Sequence, residues 1–292
     1  MLAGALFVTE VETMIRKGRV LLVSLLLIGS LQPGHAANTS GVHPYLSDTF
    51  FVDVGVFWPD RRLGLGVNGS AGEVHEPIEF EDDVRLKRTD SIFSLEFGWR
   101  FGEKWRLVGQ HFESGGNTSW ILEEDVEWED VVFLAGTNAG AGIDFKLLRA
   151  FFARDFNVGL QHEFGLGAGI HWLDFSAYIE GTILVADDGT AYARESVGVS
   201  APLPNIGIWY NYSISDRWAL TSRLDFFSAN VGRYDGTMLN LSVGVNYQVA
   251  RNFGLGLNYN HFDLAVNVDD TDWRGRLNTN YEGLYANLSF FW

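Results

Sequence analysis

The sequence contains no cysteine, only six prolines, and no apolar run long enough to cross a bilayer as a helix. Without cysteine, the chain has neither disulfide bonds nor the lipid-modified cysteine of a lipoprotein. Without a run of ~20 apolar residues, its mature part is not a helical inner-membrane protein. Basic residues are also scarce, 21 against 37 acidic ones, which gives a net charge of −16. Because no basic stripe is available to meet phosphates, nucleic acid is excluded as an expected partner.

The first 36 residues have the pattern of an export signal. Met14 is followed by a basic stretch, by an apolar run over 20–28 and then by small residues up to Ala36. A basic start, a short apolar run and a small-residue cleavage site are typical of a secretory signal peptide. We therefore expect translation to start at Met14, residues 1–13 to be an upstream extension, and cleavage to follow Ala36, with Ala37 as the alternative. The mature chain, 37–292, is then a single domain.

The last nine residues, 284–292, alternate between apolar and polar side chains and end on Trp292. A period of two is typical of a strand with two different faces, and apolar side chains at every second position suit a strand that faces lipid. Similar alternation recurs along the chain, and four short polar turns are each followed at once by a Trp or Phe. Short turns beside an aromatic girdle are typical of one rim of a transmembrane barrel.

These segments predict an all-β protein, an antiparallel up-and-down transmembrane β-barrel of about ten strands. Eight strands are the alternative, if the first segment lies outside the barrel and one weak pairing fails. Short turns are expected in the periplasm and long loops outside the cell, and an even strand number puts both termini in the periplasm. The predicted strands span 49–57, 90–101, 105–113, 142–153, 157–172, 204–213, 218–228, 238–248, 253–262 and 282–292.

The alternation also predicts a charged lumen. Arg149 fits least well, because it interrupts an outward series that begins at Ile143, Phe145 and Leu147; a bulge there would return it to the inside. Buried charges persist when they are paired, and narrow barrels tend to be filled by side chains. We therefore expect a largely side-chain-filled polar lumen, with a narrow, cation-preferring passive pore as the alternative. The predicted lumen charge network is Asp53, Glu96, Arg100, Arg106, Asp144, Lys146, Arg149, Glu163, Arg223 and Asp225.

Acidic clusters lie in the predicted outer loops. Carboxylate oxygens are preferred ligands of Ca²⁺ and Mg²⁺, which makes these loops candidate divalent-cation sites. Solvated, mutually repelling loop tips are the plainer interpretation, and no other cofactor is expected. The candidate residues are Glu81, Asp82, Asp83, Asp269, Asp270 and Asp272.

A hydrolase is a distant alternative. The omptins, ten-stranded outer-membrane proteases, pair two aspartates with a His–Asp pair, and Asp82-Asp83 with His261 and Asp263 invite the comparison. A carboxylate that orients a water-activating histidine is sound chemistry, but the surrounding sequence lacks omptin motifs. A lipid-A deacylase would need a Ser–His pair, for which His111, with Ser114 near it, is the candidate. We expect no enzyme.

Five parts of the chain carry a family resemblance: the 215–218 and 251–256 turns, the 257–263 and 201–204 segments and the closing strand. In them the chain resembles small, functionally uncharacterised outer-membrane β-barrels of the broad OmpA-type assemblage. It implies a porin-like, Gram-negative outer-membrane protein with a structural or surface-interaction role, and no catalytic residues. Expected partners are outer-membrane lipids, lipopolysaccharide and the barrel-assembly machinery, which reads Phe290 and Trp292; the chain is expected to be a monomer.

Overall fold

The structure is a computed structural model that describes residues 41–67, 78–79, 91–102, 104–128, 130–157, 160–185, 189–231, 234–269 and 274–292. The expected signal peptide and upstream extension lie outside the described residues. Within them, no helix is long and apolar enough to span a membrane.

Ten strands close into one antiparallel barrel, each paired with its neighbours along the chain. The first and last barrel strands pair over their whole length, from Phe51 with Phe291 to Val67 with Gly275, which closes the cylinder. The predicted ten-stranded antiparallel barrel is therefore confirmed, and the eight-stranded alternative is wrong. The barrel strands are β1 (Phe50–Val67), β3 (Ile92–Phe101), β4 (Trp105–Ile121), β7 (Asn138–Asn157), β8 (His162–Val185), β9 (Gly189–Ser213), β10 (Trp218–Val231), β11 (Tyr234–Ala250), β12 (Phe253–Asp269) and β13 (Arg274–Phe291).

Three short strands lie outside this cylinder of ten. β2 (Ile78–Glu79) pairs with β1. β5 (Val126–Trp128) and β6 (Val131–Phe133) form a hairpin between β4 and β7, and Phe133 of β6 pairs with Ile183 of β8. The hairpin buries Trp128 and Phe133 completely, so the connection packs onto the barrel.

A belt of exposed apolar side chains surrounds the half of the barrel nearer the short turns. Exposed apolar side chains at alternate positions are what contact with lipid requires, and aromatic rings collect at both edges of the belt. We call the end with the short turns and the last residue the turn end, and the opposite end the loop end. The belt includes Trp58, Phe93, Phe97, Leu148, Phe152, Leu166, Ile170, Ile206, Leu239, Val243, Leu255, Leu257, Leu284 and Leu288.

Towards the loop end the outer face of the barrel becomes polar and the inner face becomes apolar. On β7 the side chains of Ile143, Phe145 and Leu147 are buried inside, while Asp144 and Lys146 point out. Because these strand segments extend beyond the lipid belt, their outer face meets water and their inner face forms an apolar core. That core also contains Leu63, Leu65, Leu173, Phe175, Leu264, Val266 and Leu277.

The turn end is covered by a short N-terminal element. Helix α1 (Pro44–Ser47) has Pro44 in its first turn, and His43 caps it by accepting a hydrogen bond from the Tyr45 N–H through Nδ1, at 3.1 Å. His43 and Leu46 are buried, and the Tyr45 ring stacks on Phe51 at 5.1 Å. The segment before β1 therefore folds against the barrel interior at this end.

Two details of the predicted strand map are wrong. The pairing of β7 with β4 runs without a shift from Trp105–Arg154 to Ile121–Asn138, so no bulge is present at Arg149. One of the four short polar turns that the sequence predicts, at Arg154-Asp155, is also misplaced, because β7 continues to Asn157. The sequence further predicts that the long connection 173–203 is a hairpin that extends the barrel, and the pairing of Val185 of β8 with Gly189 of β9 confirms it.

Candidate lumenal site

Two compact ion-pair clusters occupy the interior of the turn-end half. In the first, Arg106 Nε lies 3.1 Å and Arg100 Nε 3.5 Å from the same Asp155 oxygen, Oδ2. Both guanidinium groups also bond Glu163, each to a different carboxylate oxygen. Asn211 donates a further hydrogen bond to Glu163 at 2.9 Å. Two arginines and two carboxylates thus neutralise one another in a nearly solvent-free position, which is how buried charge is tolerated.

The second cluster is centred on Asp225, whose side chain is fully buried. Arg223 Nε donates to Asp225 at 2.8 Å, and Arg149 Nη1 donates to it at 3.3 Å. Arg149 reaches across to Glu96 through Nη2, at 3.1 Å. The Arg223 guanidinium also lies over the Phe151 ring, 4.4 Å from its centroid. This cluster again contains two positive and two negative groups.

The first cluster is connected to α1. Arg100 Nη1 donates to the backbone carbonyls of Leu46, at 2.6 Å, and Asp48, at 3.1 Å. On the other side of α1, the His43 N–H donates to Ser213 Oγ at 2.9 Å. Burial lowers the pKa of His43 to about 4, and the opposing effect of Asp216 is smaller. The neutral ring is the form that suits both this burial and its acceptor role at the helix cap.

A cavity of about 130 Å³ lies between these clusters and the apolar core of the loop-end half. An engineered apolar cavity of ~150 Å³ in another protein holds benzene, so this volume suits a ligand of about six non-hydrogen atoms or a group of waters. Phe57, Phe112 and Phe262 contribute apolar wall, and Asn240, Asn258 and Asn260 contribute amides. Large aromatic rings fit inside the lumen because the residues opposite them are glycines, which have no side chain. A Cβ at Gly165, for example, would overlap the indole of Trp209.

Asp53 differs from the other acidic residues of this interior. It is buried, it lines the cavity, and its Oδ1 has no hydrogen-bond partner among the described residues. Its cross-strand neighbours are Glu96 on β3 and Ser289 on β13. Within the part of the chain that the structure describes, no arginine or lysine pairs with it.

Eight of the ten predicted network residues lie in the turn-end interior, and two do not. Asp144 and Lys146 point outward, with side chains 55% and 45% exposed, and form a pair of 3.5 Å on the barrel wall. Their predicted lumenal position is wrong. The prediction places the apolar face of β7 towards lipid, but this part of the strand lies beyond the lipid belt, where the apolar face turns inward. Two further site residues are not among the predicted ones. Asp155 belongs to an Arg-Asp dipeptide that is typical of a turn, and His43 lies in a segment whose only signal is Pro44 in the first turn of α1.

Of the candidate cation-site residues, Glu81, Asp82, Asp83, Asp270 and Asp272 lie outside the described residues. Asp269 is 83% exposed and pairs with Arg274 at 3.3 Å. Across the described ranges, no group of three or more His, Cys, Asp or Glu side chains is arranged to hold a metal ion.

Of the residues behind the hydrolase alternatives, Asp82 and Asp83 lie outside the described residues, and His111, His261 and Asp263 lie on the outer wall of the barrel. His261 is on the outer face of β12, with its Nδ1 3.5 Å from Glu282, and Asp263 is exposed on the same face. His111 is on the outer face of β4, whereas Ser114 is buried on the inner face and accepts a hydrogen bond from Arg61. His111 and Ser114 therefore do not form a Ser–His pair.

The C-terminal aromatics lie at the seam that closes the barrel. The backbones of Trp292 and Phe50 exchange two hydrogen bonds, of 2.8 and 3.1 Å, and their rings stack at 5.8 Å. Phe290 contacts Phe253 of β12, with ring centroids 5.5 Å apart.

No protein-family model and no curated protein sequence matches the chain. Among solved structures, the outer membrane protease OmpT of Escherichia coli is similar with a TM-score of 0.54 and 12% identity, over 84% of this chain and 97% of that one. The toluene transporter TodX of Pseudomonas putida (TM-score 0.36, 9% identity, 85% and 90% covered) and Ail of Yersinia pestis (0.31, 11%, 83% and 99%) are more distant. At such identities the likeness concerns the fold alone. The chain has the fold of the bacterial outer-membrane β-barrel proteins.

Proposed function

We propose that this protein is a closed barrel of the bacterial outer membrane whose role is structural or surface-interacting rather than transport. The observation that carries the proposal is the position of α1. It covers the turn end, and Arg100 donates hydrogen bonds to the backbone carbonyls of Leu46, in α1, and of Asp48, the residue that follows α1, which connects both to the first ion-pair cluster. A passive pore needs a continuous aqueous path along its axis, and this arrangement opposes one.

Two further features support a closed lumen. The two clusters place four arginine side chains across the turn-end interior, each paired with carboxylates. Above the cavity, the loop-end interior is an apolar core that includes the fully buried rings of Phe145, Phe175 and Tyr281. Apolar constrictions resist wetting, so each half of the lumen opposes ion flow in a different way.

We place the loop end outside the cell and the turn end, with both mature termini, in the periplasm. Support comes from the usual polarity of such barrels, with short turns inside and longer extensions outside. A protease-cleavable tag inserted between Val185 and Gly189 should be cut in intact cells. Cleavage only after the outer membrane is broken would reverse the orientation.

The outer wall beyond the belt is the surface we assign to partners. It carries mixed charge immediately above the apolar belt, including the pair Asp144–Lys146 and the Glu282 carboxylate beside His261. Lipopolysaccharide phosphates bridged by Ca²⁺ or Mg²⁺ would meet the barrel at this height, and carboxylates are suitable ligands for the bridging ions. We propose this contact, the barrel-assembly machinery for insertion, and a monomeric state.

We further propose that the protein is not an enzyme. His261 and Asp263 lie on the outer wall of the barrel, and Glu282 contacts the histidine. The test is hydrolysis of a peptide library and of lipid A by the folded barrel and by His261→Ala. Turnover that His261→Ala abolishes would overturn this proposal.

Solute exchange across proteoliposomes tests closure. We expect no swelling of wild-type proteoliposomes in glycerol or small sugars, and slow swelling after Tyr45→Ser with Leu46→Ser, which removes the apolar contacts of α1. The matched control, Tyr192→Ser with Leu184→Ser, makes the same substitutions at exposed loop-end positions and should remain closed. Rapid swelling of the wild type would favour the second candidate, a narrow pore, for which the cavity is the supporting observation.

A further inference from the structure

Among the described residues, the charged side chains of the turn-end interior form two neutral clusters, and one carboxylate lies outside both. The first cluster contains Arg100 and Arg106 with Asp155 and Glu163, and the second contains Arg149 and Arg223 with Glu96 and Asp225. Each cluster is neutral when all its members are ionised. Asp53 belongs to neither, so its carboxylate is the charge that these described clusters leave uncompensated.

One carboxylate oxygen of Asp53, Oδ1, is left free at the cavity, whereas Ser289 and Asn287 form hydrogen bonds with the carboxylate. Its residue is 7% exposed, it lines the cavity, and its Oδ1 has no partner among the described residues. An ionised carboxylate without a counter-charge is strongly disfavoured in such a position, whereas an acceptor oxygen at a cavity wall is available to a ligand. A group of opposite charge in the cavity would remove the imbalance.

The walls around Asp53 indicate the kind of cation. Phe51 and Phe57 flank it along β1, Tyr285 comes from β13, and Tyr45 comes from α1; all four rings line the same cavity. A carboxylate with several aromatic faces is the usual environment for an organic ammonium ion, because the ring faces attract a weakly hydrated cation. A divalent metal ion is less well served, since it requires several oxygen ligands and no group of three or more acidic or histidine side chains gathers within the described residues.

The positive groups nearby do not cancel this attraction. Arg106, Arg149 and Arg223 also line the cavity, but each is bonded to carboxylates of its own cluster. Glu96 faces Asp53 across the β1–β3 pair and adds negative potential, although Arg149 bonds it.

We propose that the lumenal cavity is a binding site for a small organic ammonium ion of about five to seven non-hydrogen atoms, with Asp53 as counter-ion and Tyr45, Phe51, Phe57 and Tyr285 as aromatic walls. This goes beyond a structural role, because a closed barrel with such a site would store or sense a ligand. Tyr45 belongs to α1, so occupancy and docking of α1 are linked.

The test is calorimetric titration of the folded full-length barrel, in non-ionic maltoside micelles that contain no ammonium group, with tetramethylammonium, with the similarly sized neutral tert-butanol and with sodium chloride. We expect one tetramethylammonium site, no binding of tert-butanol and no competition by equimolar sodium. Asp53→Asn should weaken binding at least about tenfold, as expected for loss of a charge-assisted contact. Asp263→Asn removes the same charge from the outer wall and should leave binding unchanged.

Each other result overturns the proposal. Equal binding of tert-butanol would mean an apolar pocket, and equal competition by sodium would mean a site for inorganic cations. If the wild type binds none of the three probes, infrared spectroscopy of wild type against Asp53→Asn should show a protonated carboxyl band at neutral pH, and burial of a neutral Asp53 then explains the imbalance without a ligand. If Asp53→Asn fails to fold, Phe57→Leu provides the second variant, and unchanged tetramethylammonium affinity in it would exclude the aromatic wall.

Discussion

Removing the charge of Asp225 is expected to destabilise the barrel strongly, since the second cluster depends on that carboxylate. Its oxygens accept hydrogen bonds from Arg223 at 2.8 Å, from Arg149 at 3.3 Å and from Asn240 at 3.3 Å. Asp225→Asn preserves the volume of the side chain but leaves two buried arginines with Glu96 as their remaining carboxylate in the cluster.

The magnitude follows from burial. Breaking a buried ion pair by neutralising one member costs ~3–5 kcal/mol, because the other charge stays desolvated. Asp144→Asn is the matched control: it breaks the Asp144–Lys146 pair, whose side chains are about half exposed, and such surface pairs contribute ~0–1 kcal/mol. Two aspartates with the same predicted position thus differ several-fold in their expected effect.

Denaturant unfolding in phospholipid vesicles, followed by tryptophan fluorescence and by the mobility shift of folded barrels on gels, measures both variants. Adding Arg223→Gln to Asp225→Asn restores neutrality and should recover part of the lost free energy of unfolding. Equal effects of Asp225→Asn and Asp144→Asn, or no recovery in the double variant, would refute the argument that buried charge balance holds this interior together.

Three other perturbations test separate parts of the structure. Val243→Arg places a charge in the middle of the lipid belt and should cost ~2–4 kcal/mol in the same unfolding assay. Gly165→Ala should cost ~1–3 kcal/mol, because its Cβ would overlap the indole of Trp209. Lowering the pH should release α1. Burial lowers the pKa of His43 to about 4, and the opposing effect of Asp216 is smaller. Docking of α1 is therefore fully favoured above the ordinary histidine pKa of ~6.5 and loses ~3 kcal/mol in all as the pH falls from there to about 4. Hydrogen exchange of the α1 amides measures this release.

Each of these has a control. Thr237→Arg lies on the same face of β11 beyond the belt and should be tolerated. Gly109→Ala meets its nearest atom at an ordinary 3.8 Å and should be close to neutral. His43→Gln should remove the release of α1 at low pH. Asp48 acts in the opposite direction: because burial raises its pKa, protonation of Asp48 makes docking of α1 more favourable as the pH falls. Protection of α1 that is unchanged at pH 5 would contradict the His43 argument.

The turn-end half of the fold could be predicted from the sequence because lipid surrounds it, so apolar side chains face outward and polar ones inward. Outside is lipid, so Phe93, Phe97 and Ile206 face outward, and the polar residues of the same strands face inward. Within this half the alternation predicts strand number, pairing order and eight of the charged lumenal residues.

Beyond the belt the rule reverses, and this is where prediction failed. Leu147 and Leu148 are adjacent on β7 and therefore point to opposite faces. Leu147 is buried in the inner apolar core of the loop-end half, and Leu148 faces lipid. The apolar side chains of a single strand thus move from the outer face to the inner face where the surroundings change from lipid to water. No residue pattern in the sequence marks the position along the strand at which this change occurs. The pairing that brings Asp155, Glu163 and Arg100 together depends on three different strands, so local sequence could not reveal it.

Single-channel conductance of the refolded barrel in planar bilayers, at two salt concentrations, tests the closed lumen most directly. With α1 docked through Arg100 and the apolar core in place, we predict folded, heat-modifiable protein that gives no steady openings. Steady openings whose conductance scales with salt would contradict the account and identify a water-filled path.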